Sequence, residues 1–418
     1  MLCKYPPMGW NSWDCYGTSV TEDIVRQNAA YMAEHLKQYG WEYIVTDIQW
    51  YQPTAVDFNY IPFSDVVMDE WGRLLPAENR FPSASGGTGF RQLADHVHSL
   101  GLKYGIHIMR GIPRMAAHLH LPIEGSEYTC DQAADPNSIC EWNPDMYGAR
   151  LDHPAAQAYY DSIFRLYAEW GVDFVKCDDI AREYPHCRKE IEMISKACRS
   201  CGRDIVLSLS PGPAPLDEAE HLKTWANMWR LTDDFWDRWD LLKGMFERAE
   251  KWCVHAGPGH WPDADMLPFG AVRQCGEEPP AGRWTRFTPD EQRTLMTLWC
   301  MLHSPLMMGG ELTKNDDFTL SLLTNADVLN IQKESFCAHP LCTTEDRSVW
   351  IAPRKDGTGV YVAVFNLSDK PQTISVSPDE IGLNVADAHD LWTGAPASSL
   401  SAELGPHACV AWLAETVR

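Results

Sequence analysis

No uninterrupted apolar run in this chain of 418 residues approaches the eighteen or so that a bilayer-crossing helix requires. The opening residues, Met1-Leu2-Cys3-Lys4-Tyr5-Pro6-Pro7, carry no apolar segment of the signal-peptide kind. Fourteen cysteines are present without the paired spacing of a zinc site. Cys198-x-x-Cys201 lies in a helical-looking stretch, from Lys189 to Cys201, and lacks the strand–turn–helix setting of a redox motif. Reduced thiols and a cytoplasmic location are the expectation. Cations are in short supply: 35 Lys and Arg against 58 Asp and Glu give a net charge of −23. Nucleic acid and anionic membrane are therefore not expected partners. No low-complexity segment occurs, and the composition leaves room for a homo-oligomer.

Aromatic residues, by contrast, are abundant, with 18 Trp and 15 Tyr. Beyond the needs of a core, flat rings can stack on sugar faces. Eight short apolar runs recur: Met8 to Trp13, Tyr43 to Trp50, Lys103 to Met109, Asp173 to Asp178, Ile205 to Ser210, Met228 to Asp234, Trp261 to Leu267 and Pro305 to Gly309. Helical stretches lie between them, among them Thr21 to Tyr39, Gly89 to Leu100, Ala155 to Trp170 and Asp290 to His303, several stopped by a glycine. This rhythm predicts an α/β fold, a (β/α)8 TIM barrel over residues 1–334. After about Ser335 the pattern changes to short alternating strands split by turn clusters such as Lys355-Asp356-Gly357. A C-terminal antiparallel β-sandwich over 335–418 follows.

Barrel active sites stand at the C-terminal ends of the strands, and there the chain turns polar. Val172-Asp173-Phe174-Val175-Lys176-Cys177-Asp178-Asp179 ends in a cation and two carboxylates. Strand alternation puts Lys176 and Asp178 on one face and Asp179 away from Lys176. A nearby ammonium keeps a carboxylate ionised, as a nucleophile requires. The run Arg230-Leu231-Thr232-Asp233-Asp234-Phe235-Trp236 supplies a second cation, and carboxyls that the two aromatics could shield from water. Two facing carboxyls beside fixed cations form the apparatus of a glycosidase. Asp47, His107, Asp263 and Asp265 add polar groups at other strand ends, and Trp13 and Trp50 are candidate stacking rings. No two metal-ligating residues share a helix at ligand spacing, so neither metal nor cofactor is expected. The expected partner is an oligosaccharide or other glycoside.

These motifs resemble glycoside hydrolase family 27, the α-galactosidase and α-N-acetylgalactosaminidase family, over nearly the whole chain. Met8-Gly9-Trp10-Asn11-Ser12-Trp13, Gly72-Arg73-Leu74, Arg80-Phe81-Pro82, Gly101-Leu102-Lys103-Tyr104-Gly105-Ile106, Gly257-Pro258-Gly259-His260-Trp261 and Ser304-Pro305-Leu306-Met307 carry the resemblance. It implies a retaining double displacement, with Asp178 matching the nucleophile and Asp234 the acid/base. Trp13, Asp47, Lys176, Arg230 and Asp265 match residues that hold the terminal ring. It further implies a separation of about 5–5.5 Å between the two carboxyls.

The chain departs from that pattern at four places. Asp47-Ile48 stands where α-galactosidases carry two consecutive Asp, Ser210-Pro211 where they carry Glu-Trp, His107 where they carry Tyr, and Asp179 where animal members carry a disulfide cysteine. Isoleucine cannot accept hydrogen bonds from the 4- and 6-hydroxyls of galactose. An apolar wall there favours β-L-arabinopyranose, the same ring without its hydroxymethyl arm, and some family members with such a change are β-L-arabinopyranosidases. Strict alternation with Asp47 would instead place Ile48 in the core. The expectation leans to a β-L-arabinopyranosidase. The alternatives are an α-galactosidase, an α-N-acetylgalactosaminidase with Ser210 at the 2-position, and a non-catalytic carbohydrate-binding protein. Loops around Glu124 to Trp142 and Cys275 to Trp284 are expected to select the leaving group.

Overall fold

The computed structural model describes residues 2–184, 186–276, 282–381 and 385–416. Residues 277–281, within the expected loop Cys275 to Trp284, lie outside them. Eight parallel strands form the barrel: β1 (Met8–Asn11), β2 (Tyr43–Thr46), β3 (Lys103–Met109), β4 (Phe174–Asp178), β5 (Val206–Leu209), β6 (Met228–Arg230), β7 (Trp261–Asp263) and β8 (Leu306–Met308). Strand β8 pairs with β1, and a parallel bridge between Leu267 and Met308 closes the ring between β7 and β8. All eight apolar runs form barrel strands, and six of them stop before the run does, whereas β3 and β4 continue to its end. The residues left over, such as 231–234, are thereby free to form the rim.

Each strand divides its side chains between two environments, as alternation demands. Ile44, Ile106, Val175, Cys177, Leu207 and Trp229 face the helical shell. Tyr43, Val45, Phe174, Val206, Met228, Trp261 and Met307 fill the barrel axis. Gly105 admits the Phe174 ring beside it, since a Cβ there would lie 2.9 Å from that residue's own. The helices form where the sequence signals them. Pro154–Trp170, for example, begins with Pro154, has the His153 side chain accepting from Ala155 N at 3.2 Å, and stops at Gly171 with φ 82°. No helix among the described residues is long and apolar enough to cross a membrane.

The C-terminal unit is a six-stranded antiparallel sheet covered by a two-stranded one, Gln372–Ser375 with Ser401–Leu404. Gly359–Asn366 is buried at every position rather than alternately, because the sheet is covered on both sides. Val360, Val362 and Val364 pack with Ile374 and Leu404, whereas Tyr361, Ala363 and Phe365 join the barrel's core. Phe246 meets Phe365 edge-on at 5.0 Å, and Trp239 stacks on His407 at 3.7 Å.

Trp50 corrects the sequence reading. It is fully buried against Tyr51, Phe90 and Trp170, with its indole N–H donated to the His107 carbonyl at 2.7 Å, and cannot stack on a sugar. Trp50→Ala should lower unfolding stability by about 3–5 kcal/mol. Trp13→Ala, which removes a ring only partly buried, should lower the urea midpoint by less. Equal midpoints for Trp50→Ala and the native chain would contradict this placement.

Candidate active site

Along several strands the inward-facing series begins apolar and turns polar toward the C-terminal end: Tyr43–Val45–Asp47, Phe174–Lys176–Asp178, Val206–Ser208–Ser210, Met228–Arg230 and Trp261–Asp263. The barrel registers His107 against Lys176, and Lys176 against Ser208. Polar groups from separate strands are so brought to one level. Above them opens a pocket of about 310 Å³ lined by Trp13, Asp47, Ile48, Lys176, Asp178 and Asp234, with Tyr60, Trp142, Arg182, Pro211 and Asp233.

The Lys176 ammonium lies 2.9 Å from Asp47 Oδ2, which also accepts from Asn11 Nδ2 at 2.8 Å. Burial alone would raise the Asp47 carboxyl, but Lys176, His107 and the Asn11 amide outweigh it and hold the group below its ordinary value. Asp178 follows the same balance. Burial opposes its charge, and His107 Nε2 at 2.8 Å, Lys176 and the Asp179 amide N–H at 3.0 Å overcome it and hold the carboxyl well below the usual range. Lys176, penalised by burial, is still pushed up by the Asp47 and Asp178 charges.

His107 has no exposed surface and reaches Asp178 from below, so it aligns that carboxylate rather than lining the pocket. Asp179 turns away, with φ +61°, to place Oδ2 3.0 Å from Arg110 Nη2. Asp178 and Asp179 thus face apart, as strand alternation expects.

Across the pocket, Arg230 Nη2 lies 2.5 Å from Asp265 Oδ2 and 3.4 Å from Asp234 Oδ1. Asp265 also accepts from the Phe235 amide at 2.6 Å. Burial, reinforced by Asp234 and Asp263, pushes Asp265 up against the pull of Arg230. The Asp234 side chain is 46% exposed. Phe235 and Trp236 do not shield it: Phe235 packs inward on Phe287 and Trp299, and Trp236 lies edge-on to Phe58. The loop after Arg230 alternates differently from a strand, and the sequence reading extended the strand too far.

Ile48 lines the pocket beside Asp47. Its side chain is only 1% exposed and packs in the core cluster that includes Ile44, as alternation with Asp47 expects, so it reaches the pocket only at its edge. Ser210 is elsewhere. Its buried hydroxyl has no hydrogen-bond partner and borders a separate small cavity with Lys176, Arg230 and Asp265, while Pro211 occupies the pocket wall. Tyr60, Trp142 and Arg182 were not singled out from sequence. The first lies in a loop dense in aromatics, Tyr51 to Phe63, which was a readable signal; Trp142 ends the loop expected to contact the leaving group. Arg182 carried no signal beyond its nearness to Asp178. Trp13 stacks on Tyr60 at 6.1 Å and 12°. No group of three or more His, Cys, Asp or Glu among the described residues is placed to hold a metal ion.

Comparison with known proteins identifies the family. A family model described as alpha galactosidase A matches residues 5–152 and 145–334, and one described as the alpha galactosidase C-terminal beta sandwich domain matches 344–414. The glycoside hydrolase family 27 β-L-arabinopyranosidase of Geobacillus stearothermophilus is 54% identical, with a TM-score of 0.96 over 99% of this chain and 97% of that one. A Bacillus halodurans protein, provisionally assigned as an α-N-acetylgalactosaminidase, is 51% identical with a TM-score of 0.89 over 99% and 97% of the two chains. The α-galactosidase of Cyamopsis tetragonoloba is 28% identical over 98% of this chain and 85% of its own length. The chain is a glycoside hydrolase, and it belongs to family 27, the α-galactosidase family.

Lys176→Met would leave Asp47 without its cation in a buried site, a change that costs about 3–5 kcal/mol. Asp47 and Asp178 are held low, so their stabilisation is present above the unfolded value of about 3.9 and is lost as pH falls through the folded values. The stability gap between native and variant protein should therefore be widest near neutral pH and narrow as pH falls below about 4. Urea unfolding at a series of pH values measures it, and a gap that widens on acidification would contradict the assignment.

Proposed function

We propose that the protein is a retaining exo-glycosidase that releases a terminal β-L-arabinopyranose, with Asp178 as nucleophile and Asp234 as acid/base. The reading is supported by the different states of the two carboxyls. Asp178 is buried, held ionised and fixed by His107 and Lys176, as an attacking group must be. Asp234 is on the open side of the same pocket, where a leaving-group oxygen could take its proton. In the first step Asp178 Oδ attacks the anomeric carbon as the glycosidic C–O bond breaks and Asp234 protonates the departing oxygen. In the second, Asp234 takes a proton from water, whose oxygen attacks the anomeric carbon and frees Asp178.

Ile48 carries the choice of sugar. Though only 1% exposed, it borders the pocket immediately beside Asp47, where a carboxylate would accept from a hydroxymethyl arm. The similarity to the G. stearothermophilus arabinopyranosidase, a variant of which has been solved in complex with arabinose, supports the same choice. An apolar wall rejects an added hydroxyl by only about a hundredfold, so α-D-galactosides are slower substrates rather than excluded ones.

Comparing kcat/KM for nitrophenyl β-L-arabinopyranoside and nitrophenyl α-D-galactoside tests this reading. The native protein should favour the arabinopyranoside, and Ile48→Asp should raise the galactoside-to-arabinopyranoside ratio by about tenfold or more. An unchanged ratio would remove Ile48 as the selector.

A further inference from the structure

Five residues line the pocket without belonging to the set that surrounds the terminal ring: Tyr60, Trp142, Arg182, Pro211 and Asp233. Two of them are joined. Arg182 Nη1 lies 2.8 Å from Asp233 Oδ2, linking the loop that follows β4 to the loop that follows β6. Their side chains are 30% and 67% exposed. An ion pair so open to water adds little to the stability of a fold. Stability is a weak reason to hold it across an active-site mouth.

Its position suggests another. Arg182 stands four residues beyond Asp178, and Asp233 immediately precedes Asp234. Asp233 Oδ1 accepts from the Asp234 amide at 2.9 Å, so the bridge is tied to the residue that protonates the leaving group. Whatever departs must have its oxygen at Asp234 and its next atoms near Arg182 and Asp233. Together these offer guanidinium donors and carboxylate acceptors side by side, the complement of neighbouring hydroxyls, each of which both donates and accepts. Trp142, half-buried and 5.1 Å from Tyr60, adds a flat apolar face of the kind a sugar ring can cover.

We propose that Arg182 and Asp233, with Trp142, bind the first sugar of the leaving group, so that the preferred substrate is a terminal pyranose attached to another sugar rather than to an apolar aglycone. The inference rests on the exo-glycosidase reading above. It adds specificity-determining residues beyond those that hold the terminal ring.

The test replaces Arg182 by Met, which keeps an unbranched apolar stem and removes every donor. The substrates are a nitrophenyl glycoside of the preferred terminal sugar and a disaccharide carrying that same sugar at its non-reducing end. Hydrogen bonds to a charged group are worth about 1.5–3 kcal/mol. Arg182→Met should therefore reduce kcat/KM for the disaccharide about ten- to a hundredfold. The nitrophenyl substrate, whose leaving group has no hydroxyls to lose, should change less than about threefold and doubles as the check that the variant is folded. Equal losses on both substrates would mean that Arg182 only props the loop, and equal retention that it contacts nothing; either overturns the proposal. Inactivity of the native protein toward the nitrophenyl glycoside is a separate outcome, and it would overturn the exo-glycosidase reading together with this one.

Discussion

A largely buried lysine ammonium at the top of the barrel, paired with Asp47 and drawn by the Asp178 charge, is the constraint that the rest of this site obeys. No charge can sit at that depth uncompensated, since desolvation of an ion is repaid only by a close opposite charge and further hydrogen bonds. Lys176 and Arg230 are the two cations within this cluster. Around them stand Asp14, Asp47, Asp178, Asp263 and Asp265, all buried. The response of these carboxyls divides in two. Asp47 and Asp178, helped by Lys176 and His107, are held below the ordinary value, whereas burial pushes Asp14, Asp263 and Asp265 upward. Charge is thus concentrated on the carboxylates beside the lysine, and of the two that line the pocket Asp178 is the more exposed, 12% against 1% for Asp47.

The C-terminal sandwich belongs to this arrangement. Thr294 and Thr297, on the helix Pro289–Leu302, hydrogen bond to the His407 carbonyl at 2.7 Å and from the Trp392 indole at 3.1 Å. The same helix carries Trp299, whose indole N–H donates to the Asp265 carbonyl at 2.8 Å and whose ring meets Phe235 at 5.1 Å. Phe235 follows Asp234. A continuous packed path therefore runs from the sandwich through one barrel helix to the wall that bears Arg230, Asp234 and Asp265. Fixing that wall from behind leaves the Asp234 side chain free to meet a leaving group.

The barrel was legible because short apolar runs recur eight times and several of the helices between them are stopped by a glycine, signals that act locally. The polar strand ends were legible for the same reason: a charged residue closing an apolar strand can be satisfied only at the rim or by an opposite charge. Trp50 was misassigned because a single sequence does not show which tryptophans a long β2–helix loop folds back over the core; its neighbours Phe90 and Trp170 lie far along the chain. The 231–236 segment escaped alternation where its strand ends early, whereas Ile48, 1% exposed, follows alternation into the core and still borders the pocket. Tyr60 and Arg182 reach the pocket from loops with no period, so only the folded chain brings them beside Asp178 and Asp234. His107 was legible as a polar strand-end residue but not as a partner of Asp178, because strand order does not reveal which side chain lies beneath another.

The central claim is that the carboxylate held by His107 and Lys176 forms the bond to the sugar. Asp178→Ala, assayed on nitrophenyl β-L-arabinopyranoside with and without azide, tests it most directly. Turnover should vanish and return with azide, which can enter the space left by the side chain and yield a glycosyl azide of anomeric configuration opposite to the substrate's. Undiminished turnover in the variant without azide would contradict the account.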